Sequence, residues 1–302
     1  MFKSKNGMSR ALVRRETTAG YLFLLPSLFF FVTFVLYPMF LCIYTSFFDS
    51  NMGKNAVDVF VGLGNYKELF QDKLFLGALK NTVVIVVVAV PTVCAFSLWV
   101  ATAIYDMKPA LTSAFRCIFY LPVVTGSVAV TVVWKWMYNS RYGVFNYLFK
   151  SLGIIDQNIN WLGDARFALW CIILILFTTS VGQPIVLYVS ALGNVDHSLV
   201  EAAEVDGANR RQVFWKIKWA QIMPTTLYIL IITTINSFQC FALIQLLTSG
   251  GPTHSTDTIM YYIYYTAFKL YRYGYGNAMG VVLMVIIAVL SAVQFKLGQR
   301  SD

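Results

Sequence analysis

The polar side chains that could do chemistry in this chain are few, and they fall on regular spacings. Thr233, Asn236, Ser237 and Cys240 recur at i, i+3, i+4 and i+7, which is one face of a helix. Thr179, Ser180 and Gln183 follow Leu176 with the same spacing. Hydroxyls and amides placed so in an apolar helix either line a polar path or hydrogen-bond to a neighbouring helix, and spacing alone leaves both readings open. Gln239 lies off this face. The set is neutral. It offers donors and acceptors suited to an uncharged polyol or sugar, whereas a phosphorylated or acidic substrate would call for a cation.

Other chemistries find no support. The five cysteines, Cys42, Cys94, Cys117, Cys171 and Cys240, have neither metal nor redox spacing and read as small buried hydrophobes. His197 and His254 fall in separate loops without a nearby ligand partner, so no metal site is assigned. No Gly-x-x-x-x-Gly-Lys-Ser/Thr loop is present to cradle phosphates. The expected membrane spans hold no His, Asp or Glu, which argues against a catalytic residue and against an embedded enzyme.

These side chains sit on elements built for lipid. Of 302 residues, 58% are hydrophobic and only 12% charged, about half the charged share usual in a soluble domain. That balance excludes a disordered chain, a nucleic-acid-binding domain and a secreted disulfide scaffold. Residues 17–48, 81–105, 117–134, 167–195, 219–256 and 273–295 contain no Asp, Glu, Lys or Arg. A membrane-spanning helix needs roughly 20 apolar residues, and all six runs reach the usual range. Backbone groups must be satisfied internally in a bilayer, and the continuous block Val83–Val90 lacks the alternation of a barrel strand. The expectation is an all-α membrane protein with six spans, at about 20–43, 81–105, 115–138, 168–192, 223–247 and 278–297. Residues 20–43 are read as a retained first span, not a signal peptide, because the run is too long for an h-region. Residues 1–19 form a basic tail and 299–302 a short second tail.

Orientation follows the basic residues. With both termini cytoplasmic, the inner segments (1–19, 105–117, 193–222 and the stretch after 295) carry 13 Lys and Arg, against 9 in the longer outer segments 44–80, 139–166 and 248–272. Lys135, among Trp134, Trp136 and Tyr138, reads as an interfacial anchor whose ammonium reaches outward.

The inner loop 193–222 is the most informative segment. Ser198, three residues before Glu201, suggests a capping box, and Glu201, Ala202, Ala203 and Glu204 favour helix until Gly207 stops it. A second helix follows with Val213, Phe214 and Ile217 along one face. On its own the loop could be a lipid-surface element or a docking knob.

The pattern Glu201-Ala202-Ala203, two residues, Asp206-Gly207-Ala208, followed by Phe214, Ile217 and Pro224, closely resembles the coupling loop of ABC-importer permeases. Phe60–Phe70, Asn81-Thr82, the Leu247–Pro252 stretch with its Gly-Gly-Pro, and Tyr275–Met279 resemble the carbohydrate-uptake branch (maltose and multiple-sugar type), first of two permease subunits. The resemblance spans roughly residues 20–298. Where the family often has a second proline, four residues before Pro224, this chain has Ala220, and it lacks the large extra outer domain of some maltose-type subunits.

The resemblance implies a type I permease bundle in a bacterial-type inner (cell) membrane. It implies a second permease subunit, an ATPase dimer carrying ATP and Mg, and an extracytoplasmic sugar-binding protein as partners. No cofactor is expected on this chain. Residues 201–208 become the coupling helix, with Glu201, Ala202, Ala203, Asp206, Gly207 and Ala208 as its coupling residues: Ala202 and Ala203 permit close approach, Gly207 the tight turn, and Glu201 a charge-assisted contact with a basic residue of the partner. Thr179, Ser180, Gln183, Thr233, Asn236, Ser237 and Cys240 become the substrate path. A stand-alone carrier would instead show inverted repeats and an ionisable residue near the midplane, and neither is visible.

Overall fold

The computed structural model describes residues 10–50 and 58–298. Most of the basic tail (1–9) and the tail 299–302 lie outside the described residues. Within the tail, helix already begins at Arg10 and runs without a break into the first span.

Five helices are long and apolar enough to cross a membrane: Thr17–Thr45, Lys73–Tyr105, Ala168–Gly193, Arg210–Leu247 and Tyr273–Gly298. They are the first, second, fourth, fifth and sixth spans. The third departs from the sequence expectation of one helix over 115–138. It consists of Pro109–Val124 and Ser127–Met137, bent by 95°. Pro122 has no N–H and its ring crowds the carbonyl one turn back, while Thr125 and Gly126 adopt extended backbone that no helix can pass through. Leu121 O accepts both the backbone N–H of Thr125 (3.1 Å) and its hydroxyl (2.8 Å), which closes the end of the first arm.

The second span is the central post. Its buried face, including Val90, Val93, Cys94, Ala101 and Ile104, packs on Ile185, Tyr188 and Leu192 of the fourth span and on Ile222 and Ile229 of the fifth. Small residues bring the backbones close, as expected where lipid gives no hydrophobic drive between helices. Ser97 Oγ donates to Val181 O at 3.2 Å. A Cβ added to Gly182 would lie 2.3 Å from Phe119 O, so glycine there lets the third and fourth spans touch. Phe23, Trp99 and Val124 point outward from the bundle, as lipid-facing side chains do.

Side-chain amides and two carboxylates fasten the end opposite the 194–218 loop. Asn65 Nδ2 donates to Ser46 O (2.8 Å) and Phe48 O (2.9 Å), holding a small antiparallel pair in which Phe48 faces Phe60. Asn81 Nδ2 donates to Ser255 O (3.1 Å) and Asp257 O (3.0 Å), tying the second span to the loop after the fifth. Asn277 Nδ2 reaches Thr45 Oγ1 at 2.7 Å, and Arg272 grips Glu68 through two bonds of 2.8 Å. Asp72 caps the second span through Leu74 N and accepts from the hydroxyls of Tyr262 (2.7 Å) and Tyr275 (2.9 Å). Burial alone would raise its carboxyl pKa. The two hydroxyls and the amides of Leu74 and Phe75 outweigh that and hold it below the usual carboxylate range.

Candidate functional site

At the other end of the bundle the fourth and fifth spans are joined by a helix over His197–Val205. Its cap is Asp196, whose carboxylate accepts from Ser198 N at 2.9 Å. The expected box between Ser198 and Glu201 does not form, because the acidic side chain two residues earlier already takes that amide. The Ser198 hydroxyl and amide hold the Asp196 carboxyl below the usual range. The helix ends in a tight reversal. Gly207 has φ +83°, its N–H donates to Glu204 O, and Ala208 N donates to Ala203 O at 2.9 Å, which closes the open carbonyls of the last turn. Nothing lies within 4 Å of a Cβ built on Gly207, so glycine is required there for its backbone angle, not for room.

A capping box does form one element later. Asn209 N donates to Gln212 Oε1 (2.8 Å) and Gln212 N to Asn209 Oδ1 (3.0 Å), starting the helix at Arg210. Residues Phe214–Lys218 then widen into a π-helical turn before the fifth span proper. Of the three residues expected on one apolar face, Val213 is buried and Phe214 and Ile217 are half-buried. Gln221 Oε1 accepts from Asp196 N at 3.0 Å, and Lys218 Nζ lies 5.5 Å from the centre of the Tyr105 ring, so the loop is fixed to the spans on both sides.

The exposed side of this loop carries Glu201, Ala202, Glu204, Asp206 and Gly207, with Ala203 and Ala208 half-buried. Glu201 and Glu204 line a cleft shared with Arg210 and Lys218, and among the described residues neither glutamate makes an ion pair within 4.0 Å. One feature escaped the sequence reading. Leu199, Ala202 and Val205 stand at i, i+3 and i+6, and Val205 is 87% exposed. The signal was present as a three-residue apolar spacing beside the acidic pattern.

The polar candidates within the spans divide into two groups. Ser180, Gln183, Thr233 and Asn236 meet in one cavity between the fourth and fifth spans, together with Tyr228 and Ile232. Gln183 and Asn236 are exposed there. The cavity holds about 30 Å³, enough for water and too small for a sugar ring. Tyr228, half-exposed and two turns before Asn236, was missed because its ring reads as ordinary apolar mass in a span.

The remaining three do not join them. Thr179 opens on the apolar cleft under the bend of the third span, beside Pro122 and Trp134, and its hydroxyl is held by Ile175 O and Leu176 O. Ser237 is buried in helix packing. Cys240 is a correction: the α-helix stops at Phe238, so the i+7 projection fails, and Cys240 is buried with Tyr138, Cys171 and Ile244 while its carbonyl accepts from Thr258 Oγ1. No group of three or more His, Cys, Asp or Glu that could hold a metal occurs among the described residues.

Comparison with known proteins bears on this arrangement. The family described as "Binding-protein-dependent transport system inner membrane component" matches residues 74–302. The chain is 33% identical over 288 residues to the probable ABC transporter permease protein YesP of Bacillus subtilis, covering 94% of this chain and 91% of that one. It is 32% identical to the lactose transport system permease protein LacF of Rhizobium radiobacter (94% and 95% covered). It is also 32% identical to the multiple sugar-binding transport system permease protein MsmF of Streptococcus mutans (94% and 96% covered). A chain in the crystal structure of a bacterial alginate ABC transporter, in complex with alginate pentasaccharide-bound periplasmic protein, superposes with a TM-score of 0.82 at 24% identity, covering 95% of this chain and 96% of that one, which supports the fold. With its multi-span helical bundle and the joined loop at one end, this chain belongs to the family of binding-protein-dependent transport system inner membrane components, as a permease subunit of an ABC transporter.

Proposed function

We propose that this chain is one of two permeases of an ATP-driven importer for a neutral oligosaccharide. Its loop 193–222 and both termini face the cytoplasm. An ATPase dimer, carrying the ATP and Mg, docks on residues 201–208, and an extracytoplasmic sugar-binding protein delivers substrate from the other side. The observation that carries the reading is the exposed helix His197–Val205, whose Leu199, Ala202 and Val205 form an apolar stripe beside uncompensated glutamates. An apolar strip outside the spans is suited to a protein partner. Glu201 and Asp206 supply charge for a basic cleft. The loop follows directly on the fourth span and is fixed to the fifth at Gln221 and to the second at Tyr105, so a push on it would be passed to these helices together.

The fourth and fifth spans carry Ser180, Gln183, Thr233 and Asn236. Their small cavity supports a path completed by a second permease across the open side, with hydroxyls and amides and no cation for the sugar. The sugar transport named for relatives such as LacF and MsmF supports the substrate class.

The test is Gly207→Val. A β-branched residue at this φ costs roughly 1–2 kcal/mol and tilts the reversal without filling any space. Sugar uptake should collapse while the amount of chain in the membrane stays at the wild-type level. Uptake at the wild-type rate would sink the docking assignment.

A further inference from the structure

A second site lies at the opposite end of the bundle, on the segment between the third and fourth spans. The short helix Val144–Ser151 lies between the two spans, and its Asn146 is buried as a clamp. Asn146 Nδ2 donates to Ser140 O (3.1 Å) and Ile159 O (2.9 Å), and Oδ1 accepts from Ile159 N (3.1 Å) and Trp161 Nε1 (3.0 Å). The helix is therefore held rigidly. A Cβ on Gly143, just before it, would fall 2.3 Å from Asn139 O, so the turn into it is tightly packed as well.

A pocket of about 400 Å³ opens on this clamp, lined by Arg141, Tyr142, Tyr147 and Lys150. All four side chains are exposed, and neither cation makes a salt bridge among the described residues. None of the residues lining the pocket carries a carboxylate. A guanidinium, an ammonium and two phenol hydroxyls around one concavity present donors to a compact anion with several oxygens, which is the chemistry of a phosphate. Beside it, Leu148, Leu152 and Ile154 are exposed, the last two at 69% and 63%. Trp134 and Trp136 at the end of the third span, with Trp161 and Trp170 at the start of the fourth, mark the depth where a bilayer passes from acyl chain to headgroup.

We infer that the Arg141–Lys150 pocket holds the phosphate of an anionic phospholipid in the outer part of the bilayer, with its acyl chains against Leu148, Leu152 and Ile154. A free phosphate would use the same cations but would gain nothing from three exposed aliphatic side chains. The lipid assignment rests on that difference. Opposite charge and apolar insertion act together on such an interfacial helix, and each alone binds a membrane weakly. The inference is independent of the sugar path and takes from the proposed function only the orientation that makes this end the outer one.

The experiment places the purified chain, with its co-purifying subunits, in nanodiscs of phosphatidylcholine with or without phosphatidylglycerol. Retained lipid is read by native mass spectrometry and stability by thermal melting. The wild type should retain phosphatidylglycerol through detergent extraction and melt at a higher temperature in the mixed discs. Arg141→Gln with Lys150→Gln should lose both the retained lipid and the shift, while melting as wild type in phosphatidylcholine alone. Lys150→Gln by itself, a change on an exposed helix face, should show the same loss in part. Equal retention of phosphatidylglycerol by wild type and both variants would overturn the site. A shift of the same size produced by inorganic phosphate in phosphatidylcholine discs would overturn the lipid as its occupant.

Discussion

At the scale of single residues, the informative side chains are amides. Asn65, Asn81, Asn146 and Asn277 each have their donors taken up by fixed partners and are structural. Gln183 and Asn236 are exposed at the mouth of one cavity. That contrast supports the path reading proposed above for Gln183 and Asn236. Asn236→Leu or Gln183→Leu should alter which sugars are transported, or the rate, by several-fold while leaving subunit assembly intact in pull-down. Loss of assembly with unchanged transport per complex would restore the interhelical role. Four of the seven path candidates share one cavity, because helical periodicity brings residues one turn apart to one side. Cys240 does not, since periodicity assumes a helix that continues and this one ends at Phe238. Ser198 misled for a related reason: its three-residue distance from Glu201 matches a capping box, but Asp196 reaches the same amide first.

At the scale of elements, the uncharged runs fall on the five long apolar helices and on the bent pair Pro109–Val124 and Ser127–Met137, because a charged group in hydrocarbon is costly. The direction of a span is another matter. Hydropathy is blind to angle, and Pro122 in the third span said only that one helical bond is missing. The 95° turn arises from two extended residues, Thr125 and Gly126, after the proline. The bend is measurable with paired spin labels at the exposed positions Leu111 and Val132. A straight helix would separate these α-carbons by about 32 Å at 1.5 Å per residue, and the bent path brings them to about 22 Å. A distribution centred near the longer distance would refute the bend.

At the scale of the molecule, the chain has two ends of different character. One presents an exposed acidic and apolar helix tied to two spans, and the other is a hydrogen-bonded cap in which four spans or their loops are joined. The stretches Phe60–Phe70, Asn81-Thr82 and Tyr275–Met279, which carried the family resemblance, supply much of that cap. Their residue types were readable, but their partners lie too far away in sequence to be inferred from one chain. The orientation proposed from basic residues predicts a labelling pattern. With Cys117 replaced by serine, Ser151→Cys should react with a membrane-impermeant maleimide on intact cells, and Asn194→Cys only after permeabilisation. The opposite pattern would invert the molecule.

Synthesis gives the cap a further meaning. Asp72 and Asn81 leave the ribosome well before their partners: Tyr262 and Tyr275 follow 190 and 203 residues after Asp72, and Ser255 and Asp257 follow 174 and 176 after Asn81. Until these emerge, a carboxylate and an amide at the head of the second span wait without their partners. A nascent or truncated chain lacking the sixth span thus differs from a finished one by an open polar seam, which offers cellular quality control a chemical mark of incompleteness.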